Sequence, residues 1–394
     1  MTAIPPLKIG FLTPYSGIYP EMSHHIVYGF LMPFVKYNNQ GKQLFRIDPE
    51  YVKQGGQKAV TEAVKKLLFF DQVDIISGVI NYQVVPEILP LIEKRDKVAF
   101  FFDSGEYMPH PTQLSTHVFY NSFQLWQSQY ALGYWAQREF GGKGAVVMGL
   151  YDSGYHMHSA FRQGTIQAGA EAVDYAVLGR PNSAGQDVPF SEYVDKYLEN
   201  IIKNPPEYIH ALFCGQEAIQ FLAKYYDSPL KNKVPLIVSN HMSSEEILAS
   251  FNHFEWQIYS ASIWSNRDSN KINQKFVKGY QEGLGQKPNM FNLLGYEAGL
   301  MFREMTTYFE KRDWPAIRQT LQKKSIRGPR GSVNFYPKSG FDLPKISIEK
   351  LLFRQNKITR MIVSQGQGLK YDHEIFSEIN QEIVSGWQNP YFCV

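Results

Sequence analysis

The sequence predicts an α/β protein made of two similar lobes, each a doubly wound parallel sheet, with a hairpin toward the C-terminal end. Three observations carry this prediction. The chain is 394 residues long, more than one simple core accommodates, and two domains is the natural division. Short apolar runs alternate with helix-period segments, the pattern of a parallel sheet covered by helices on both faces. The alternation then pauses at one long amphipathic helix and restarts with the same layout.

The first strand is "LKIGFLTP", and a helix follows in which Val27, Phe30, Leu31, Phe34 and Val35 share one face. "FRIDPEYV" is the second strand. The next helix carries Val60, Ala63, Val64, Leu67 and Leu68 at helical spacing and leads to the strand "VDIISG". A helix around "VVPEILPLIEKR" precedes "VAFFFD", whose apolar run suits a strand buried on both faces. That run stops abruptly at "DSGEY", a loop dense in hydrogen-bonding groups. After the helix "LWQSQYALGYWAQREF" come strand "GAVVMGLY", helix "SAFRQGTIQAGA", strand "AVDYAVLG" and helix "YVDKYLENIIKN". Strand "YIHALFCG", helix "EAIQFLAKYY" and strand "VPLIVSN" complete the second series. From "WQIYSASIW" the pattern changes to long helices, "INQKFVKGYQEGLG", "LLGYEAGLMFREMTTYFEKR" and "PAIRQTLQKKS". "KISIEKLLFRQNKITRMIVS" is then two β-prone runs about Gln355-Asn356-Lys357, a hairpin. An antiparallel tail after two parallel units implies that the chain crosses between lobes more than once.

Composition narrows the function. A net charge of +3, no basic stripe interleaved with aromatics, and no zinc-finger or helix-turn-helix spacing argue against a nucleic-acid partner. The aromatic share is high at 15%, and tyrosines in loops offer amphipathic surface for small molecules. Cys214 ends a strand-like run and Cys393 is next to last, so two free thiols are expected. No apolar run is long enough for a transmembrane helix. The start, "MTAIPPLKIG", has neither the charged nor the apolar region of a secretory leader, so the expectation is a cytoplasmic protein or one whose leader has been removed.

Catalytic motifs are missing. "FGGKGAV" lacks the hydroxyl residue of a phosphate-cradling loop, "GQGLKY" lacks the last glycine of a dinucleotide fingerprint, and no G-x-S-x-G elbow occurs. Cys214 at a strand's carboxyl end could hold a nucleophile, yet reads more simply as core. His24-His25 and His156-Met-His158 do not share a helix face, so no metal site is expected. Glu245-Glu246 at a helix start is explained by capping and the helix dipole. No cofactor and no enzymatic activity are expected. What repeats instead is a strand, a polar loop and a helix start, at "FLTPYSGIY", "SGVINYQ", "FFFDSGEY", "LYDSGYH", "FCGQEA" and "VSNHMSS". Ligands of open α/β sheets bind beyond such strand ends, where helix N-termini also offer unpaired N–H groups.

These features resemble the type I periplasmic binding proteins, particularly the leucine/isoleucine/valine-binding branch that serves ABC importers. The matching stretches are "LKIGFLTPYSG", "GQKAVTEAVKKLLFFDQVDIISGVIN", "VAFFFDSGEY", "YDSGYHMHSAFRQGTIQAGAEAV", "NLLGYEAG" and "RGPRGSVNFYPKSG". The resemblance spans essentially the whole chain and implies two lobes joined by three crossovers, closing on a small molecule by hinge bending. Residues 1–121 and 256–335 are expected in lobe 1, and 122–255 and 336–394 in lobe 2. The binding positions it implies are Asn81 or Tyr82 after "DIISG", and Ser104, Gly105 and Glu106 after "AFFF". Tyr155 would form an aromatic wall, Tyr15 or Tyr19 a first-loop aromatic, and Phe291 a helix-start aromatic. Gln216 follows the strand ending at Cys214, and His241 follows "VPLIVSN".

Two of these depart from the family pattern. Glu106 replaces a hydroxyl residue that holds the ligand carboxylate, and His241 replaces the acid that pairs with the ligand ammonium. The ligand is therefore expected to be other than a standard branched-chain amino acid, with Glu106 meeting a cationic, amide or hydroxyl group. The plainer alternatives are a solvent-facing Glu106 and a satisfied loop histidine at 241. The leading expectation is an extracytoplasmic solute-binding protein, periplasmic or at the cell surface, with a small-molecule ligand and an ABC transporter permease as partner. A cytoplasmic small-molecule sensor of the same fold, acting through a protein partner, is the second. An α/β enzyme using Glu106 and a nearby histidine is the third.

Overall fold

The first sheet holds the strands β1 (Leu7–Thr13), β2 (Phe45–Tyr51), β3 (Ile75–Val79), β4 (Val98–Asp103) and β5 (Val118–Ser122), all parallel, in the order β2-β1-β3-β4-β5. The computed structural model describes residues 5–35, 43–108, 115–179, 188–336 and 342–382. Every residue of β3, β4 and β5 is buried, which is why their sequences run apolar without alternating. Helices α1 (Met22–Leu31), α2 (Gln57–Phe69) and α3 (Val85–Lys94) cover the sheet. The expected stripe of α2, from Val60 to Leu68, is its buried face.

After α4 (Leu125–Phe140) the plan repeats. Strands β6 (Gly144–Gly149), β7 (Val173–Leu178), β8 (Tyr208–Leu212), β9 (Leu236–Val238) and β10 (Trp256–Ser262) alternate with helices α5 (Met157–Gln167), α6 (Phe190–Lys203) and α7 (Gly215–Asp227). The second sheet runs β14-β13-β10-β9-β8-β6-β7, where β13 (Ile346–Arg354) and β14 (Lys357–Gly366) are the hairpin. Its parallel part, β7-β6-β8-β9-β10, has the same order as the first sheet. Each lobe therefore has a topological switch point, between β1 and β3 and between β6 and β8, where α/β sheets open a crevice for ligands.

Between the two hairpin strands and β10, the chain returns to the first lobe. Helices α8 (Lys271–Leu284), α9 (Met290–Glu304), α10 (Thr306–Lys311) and α11 (Trp314–Lys323) are followed by the short pair β11 (Ile326–Gly328) and β12 (Gly331–Val333). Helix α9 lies so close on α1 that a Cβ at Gly29 would sit 2.1 Å from the Asn292 carbonyl oxygen, and one at Gly295 would sit 2.0 Å from that of Ile26. Only glycine permits that approach. The chain passes between the sheets three times, at Ser122–Leu125, after Ser262, and between Val333 and Ile346.

Several expectations need adjustment. The border at 256 is too early, because β10 pairs in parallel with β9 and antiparallel with β13 inside the second sheet. Its residues Ile258 and Ala261 are core residues of that sheet, so the return to the first lobe begins after Ser262. Strand β5 was not anticipated: five residues ending in Asn121 and Ser122 give little periodic signal. Helix α12 (His373–Gln381), capped by the Asp372 side chain, was not anticipated either. The hairpin turn is Gln355-Asn356 with φ of 52° and 59°, a two-residue connection in the left-handed region. Cys214 is buried, with its thiol donating to Asp152, whereas Cys393 lies outside the described residues.

Candidate functional site

The loop after β4 is held by the first crossover. Its Ser104 and Gly105 carbonyls accept from the N–H groups of Leu125 and Trp126, at 3.1 and 2.8 Å. Gly105 has φ +78°, and a Cβ there would meet the Gln124 nitrogen at 2.3 Å. Glycine at this position is thus required twice, by its conformation and by the backbone against it. Ser122 donates to Asp103 at 2.9 Å, and burial pushes the Asp103 carboxyl up to about 7. The result is a rigid platform that projects Glu106 away from the first sheet.

Glu106 meets the second lobe. Its Oε1 lies 2.6 Å from Nε2 of His241, which follows β9, and the two side chains are only 6% and 5% exposed. The other imidazole nitrogen, Nδ1, is 2.9 Å from the Tyr19 hydroxyl. Burial alone would lower the His241 pKa. The hydrogen bond and charge of Glu106, joined by the charge of Asp152, outweigh burial and raise it. Two further bonds join the Glu106 loop to the loop after β6: the His156 N–H donates to the Glu106 carbonyl at 3.1 Å, and the Met108 N–H donates to His156 Nδ1 at 3.0 Å. An imidazole nitrogen that accepts carries no proton, and burial lowers the His156 pKa to about 3. The same interface therefore shifts its two histidines in opposite directions.

Beside this contact lies a cavity of about 280 Å3. Tyr19, Phe123, Trp264 and Phe291 provide its aromatic walls, and Asn240 and His241 provide polar groups. Tyr19 packs edge-on against Phe291 at 5.1 Å, and Trp264 is fixed by its indole N–H donating to Asn273 at 2.8 Å. Arg267 and Lys287 stand at the lining and form no ion pair among the described residues, while Arg360 is bound to Glu349 at 3.0 Å. Phe123 belongs to the first crossover and Trp264 to the second, so the cavity sits at the hinge side of the junction. A wider surface hollow of about 690 Å3 lies by Glu50, Gln54 and Lys66, at the carboxyl end of the edge strand β2.

Of the expected binding residues, Tyr19, His241 and Phe291 line this cavity, and Glu106 touches it through His241. Ser104 and Gly105 position Glu106 by their backbone. Asn81 is buried at the start of a short 3-10 turn, accepting from the Gln83 N–H at 2.9 Å. Tyr155 is buried against Tyr107, with ring centres 4.8 Å apart, and its hydroxyl bonds that of Tyr151. Three other expected residues lie outside this cavity. Tyr82 points into the first lobe's core, 4.7 Å from the Tyr120 ring. Tyr15 is 47% exposed and Gln216 is exposed on α7; neither lines the cavity. Glu106 does not face solvent, and both ring nitrogens of His241 have partners, Glu106 and Tyr19.

Sequence reasoning missed Tyr107, His156, Phe123 and Trp264. The first two sit inside "DSGEY" and "DSGYH", loops already singled out, so proximity to those motifs was the available signal. Phe123 and Trp264 lie on crossovers, which only the three-dimensional path reveals. Asp152 was also passed over: it accepts from the Cys214 thiol at 3.3 Å, and burial pushes its carboxyl up to about 8. Among the described residues no group of three or more metal-ligating side chains converges, and no helix is long and apolar enough to cross a membrane.

A family model described as periplasmic binding protein matches residues 6–341. No curated protein matches the chain. Among solved structures, an ABC transporter substrate-binding protein from Sphaerobacter thermophilus superposes with a TM-score of 0.75 at 20% identity, covering 92% of this chain and 98% of that one. A solute-binding protein of an R. palustris ABC transporter, in complex with benzoate, gives 0.72 at 19% identity, with 93% and 98% covered. A leucine-binding protein from Thermotoga maritima gives 0.67 at 14% identity, with 91% and 98% covered. At these identities the likeness is one of fold.

Proposed function

The chain belongs to the periplasmic binding protein family, and we propose that it is the solute-binding protein of an ABC importer, working outside the cytoplasmic membrane with a permease as its partner. Capture takes place between the lobes, in the cavity beside His241, and the lobes close on the solute by hinge motion. The observation that carries this reading is the aromatic-walled cavity of about 280 Å3 at the junction of both lobes and two crossovers. Its size is near the lower end of small-molecule sites, about 300 to 1,000 Å3.

The ligand class follows from the charges. In a clamp for amino acids, one lobe holds the carboxylate and the other the ammonium. Here Glu106 and His241 stand at the positions the family pattern gives those anchors, and they bind each other. A zwitterion would find both its anchors taken, so the solute is a small polar or aromatic molecule, amino-acid-like in size. Tyr19, Trp264 and Phe291 suit a flat ring, and Arg267 and Lys287 suit a negative group on it. Benzoate and hydroxybenzoates in related structures are of this kind.

The test is thermal unfolding against aromatic acids, amides, polyamines, short peptides and amino acids. A solute at about 100 times its dissociation constant adds about 2.7 kcal/mol and raises the midpoint by several degrees. A shift with an aromatic acid or amide is expected. A shift with leucine or valine alone would contradict the assignment of the two charged positions.

A further inference from the structure

The contacts around Glu106 join the lobes directly, side chain to side chain. Glu106 comes from the end of β4 in the first sheet and His241 from the end of β9 in the second, and they meet at 2.6 Å. Tyr19, from the loop after β1, meets the far side of the same imidazole at 2.9 Å. The Glu106 and Met108 backbone pairs with His156 extend the seam, and Tyr107 stacks obliquely on Tyr155. Ile18 closes it beyond: its side chain lies about 3.3 Å from where a Cβ on Gly215 would stand. We infer that this seam is a clasp that holds the two lobes closed without a solute, with Glu106 and His241 as its locking pair.

The physical reason is the asymmetry of buried charge. Two well-matched ions out of water contribute little net energy, but one ion left there alone is strongly unfavourable. Hinge opening returns both to water, so the closed form tolerates the pair and rejects either partner alone. Other ionisable groups stand close by. Asp152, after β6, acts on His241 in the same sense as Glu106, and Glu217 at the start of α7 and Asp103 at the end of β4 complete the acidic surroundings. His156 remains neutral and Tyr19 supplies a hydroxyl. The direction with pH follows from His241, whose folded pKa lies above 6.5. Its contribution is complete below that value and is lost as the pH rises through the raised one, when the imidazolium gives its proton to solvent.

The clasp needs no solute, so it stands or falls separately from the capture reading. The experiment is small-angle X-ray scattering of the solute-free full chain at about pH 6 and about pH 9.5, spanning the histidine range. It is repeated for Glu106→Gln and His241→Gln at the lower pH, with circular dichroism confirming the fold. A compact chain of this length has a radius of gyration of about 21 Å, and opening should add roughly 1 to 2 Å. The expected result is a compact wild type at the lower pH, and expansion in both variants and in the wild type at the higher pH. The same radius in all four samples would overturn the clasp, as would a wild type already expanded at the lower pH. If one variant fails to fold, the other decides at the lower pH, because Asp103, Glu217 and Asp152 also titrate between the two pH values. A solute-panel failure leaves this outcome unaffected, and a uniform radius leaves the panel result unaffected.

Discussion

Arg330 offers the sharpest stability prediction in the molecule. Its guanidinium donates from Nε to both oxygens of Glu297 at 3.1 Å, and from Nη2 to Glu297 Oε2 and Asn121 Oδ1, each at 2.8 Å. Nη1 donates to the Ser122 carbonyl at 2.9 Å, where the chain leaves the first sheet for the second. The two ionic side chains are 4% and 0% exposed. Arg330→Met roughly keeps the length of the side chain but leaves the buried Glu297 carboxylate without its cation. Breaking such a pair costs about 3 to 5 kcal/mol. At roughly 2 to 4 °C per kcal/mol for a domain of moderate size, the melting temperature should fall by about 6 to 20 °C. The double variant Arg330→Met/Glu297→Leu removes both charges, and apolar replacement of a whole buried pair is near neutral or better. It should therefore recover most of the loss, even though each change touches the same core. Urea unfolding of the two single variants and the double variant reads the coupling. A loss below about 1 kcal/mol for Arg330→Met, or a double variant as unstable as the sum of the singles, would refute the buried-charge argument.

Three other outcomes follow from the site. Gly105→Ala places a Cβ 2.3 Å from the Gln124 nitrogen at φ +78°, and should cost more than the roughly 1 to 2 kcal/mol of the left-handed conformation alone; urea unfolding measures it. Asp152→Asn removes a carboxyl that burial raises from 3.8 to about 8. A raised carboxyl favours the folded state only while protonated, so the variant should gain on the wild type as the pH climbs between those values, and a pH-independent difference in urea unfolding would count against this. Tyr19→Phe keeps the ring in the cavity wall and removes the bond to His241 at 2.9 Å. Solute affinity by calorimetry should drop by about three- to tenfold, in line with the roughly 0.5 to 1.5 kcal/mol of one hydrogen bond.

The order of strands and helices was legible because burial on both faces leaves a plain mark, as in "VAFFFD" and "VDIISG", and because the α2 stripe repeats at helical spacing. Strand β5 and the place of β10 were not legible in the same way. The first is five residues long, and the membership of the second depends on which neighbours it pairs with, Leu236–Val238 and Ile346–Arg354. In the site, Glu106 and His241 stood out singly as departures from a known pattern. Their pairing was invisible, since 135 residues separate them and only the relative placement of the two lobes brings them together. Between the alternatives Asn81 and Tyr82 the sequence offered no choice: the backbone that buries Asn81 at a cap turns the tyrosine ring inward on Tyr120. The crossover aromatics Phe123 and Trp264 carry no local signature at all, because a wall is defined by what it faces.

The measurement that tests interlobe capture most directly is calorimetric titration of the wild type and Trp264→Ala with aromatic acids and with leucine. The account predicts one-site binding of an aromatic acid to the wild type, no binding of leucine, and at least a tenfold weaker association in the variant, since stacking walls contribute about 0.5 to 1.5 kcal/mol beyond their buried area. Leucine binding unaffected by the loss of Trp264, or aromatic-acid binding equally tight in both proteins, would place the solute elsewhere and contradict the account.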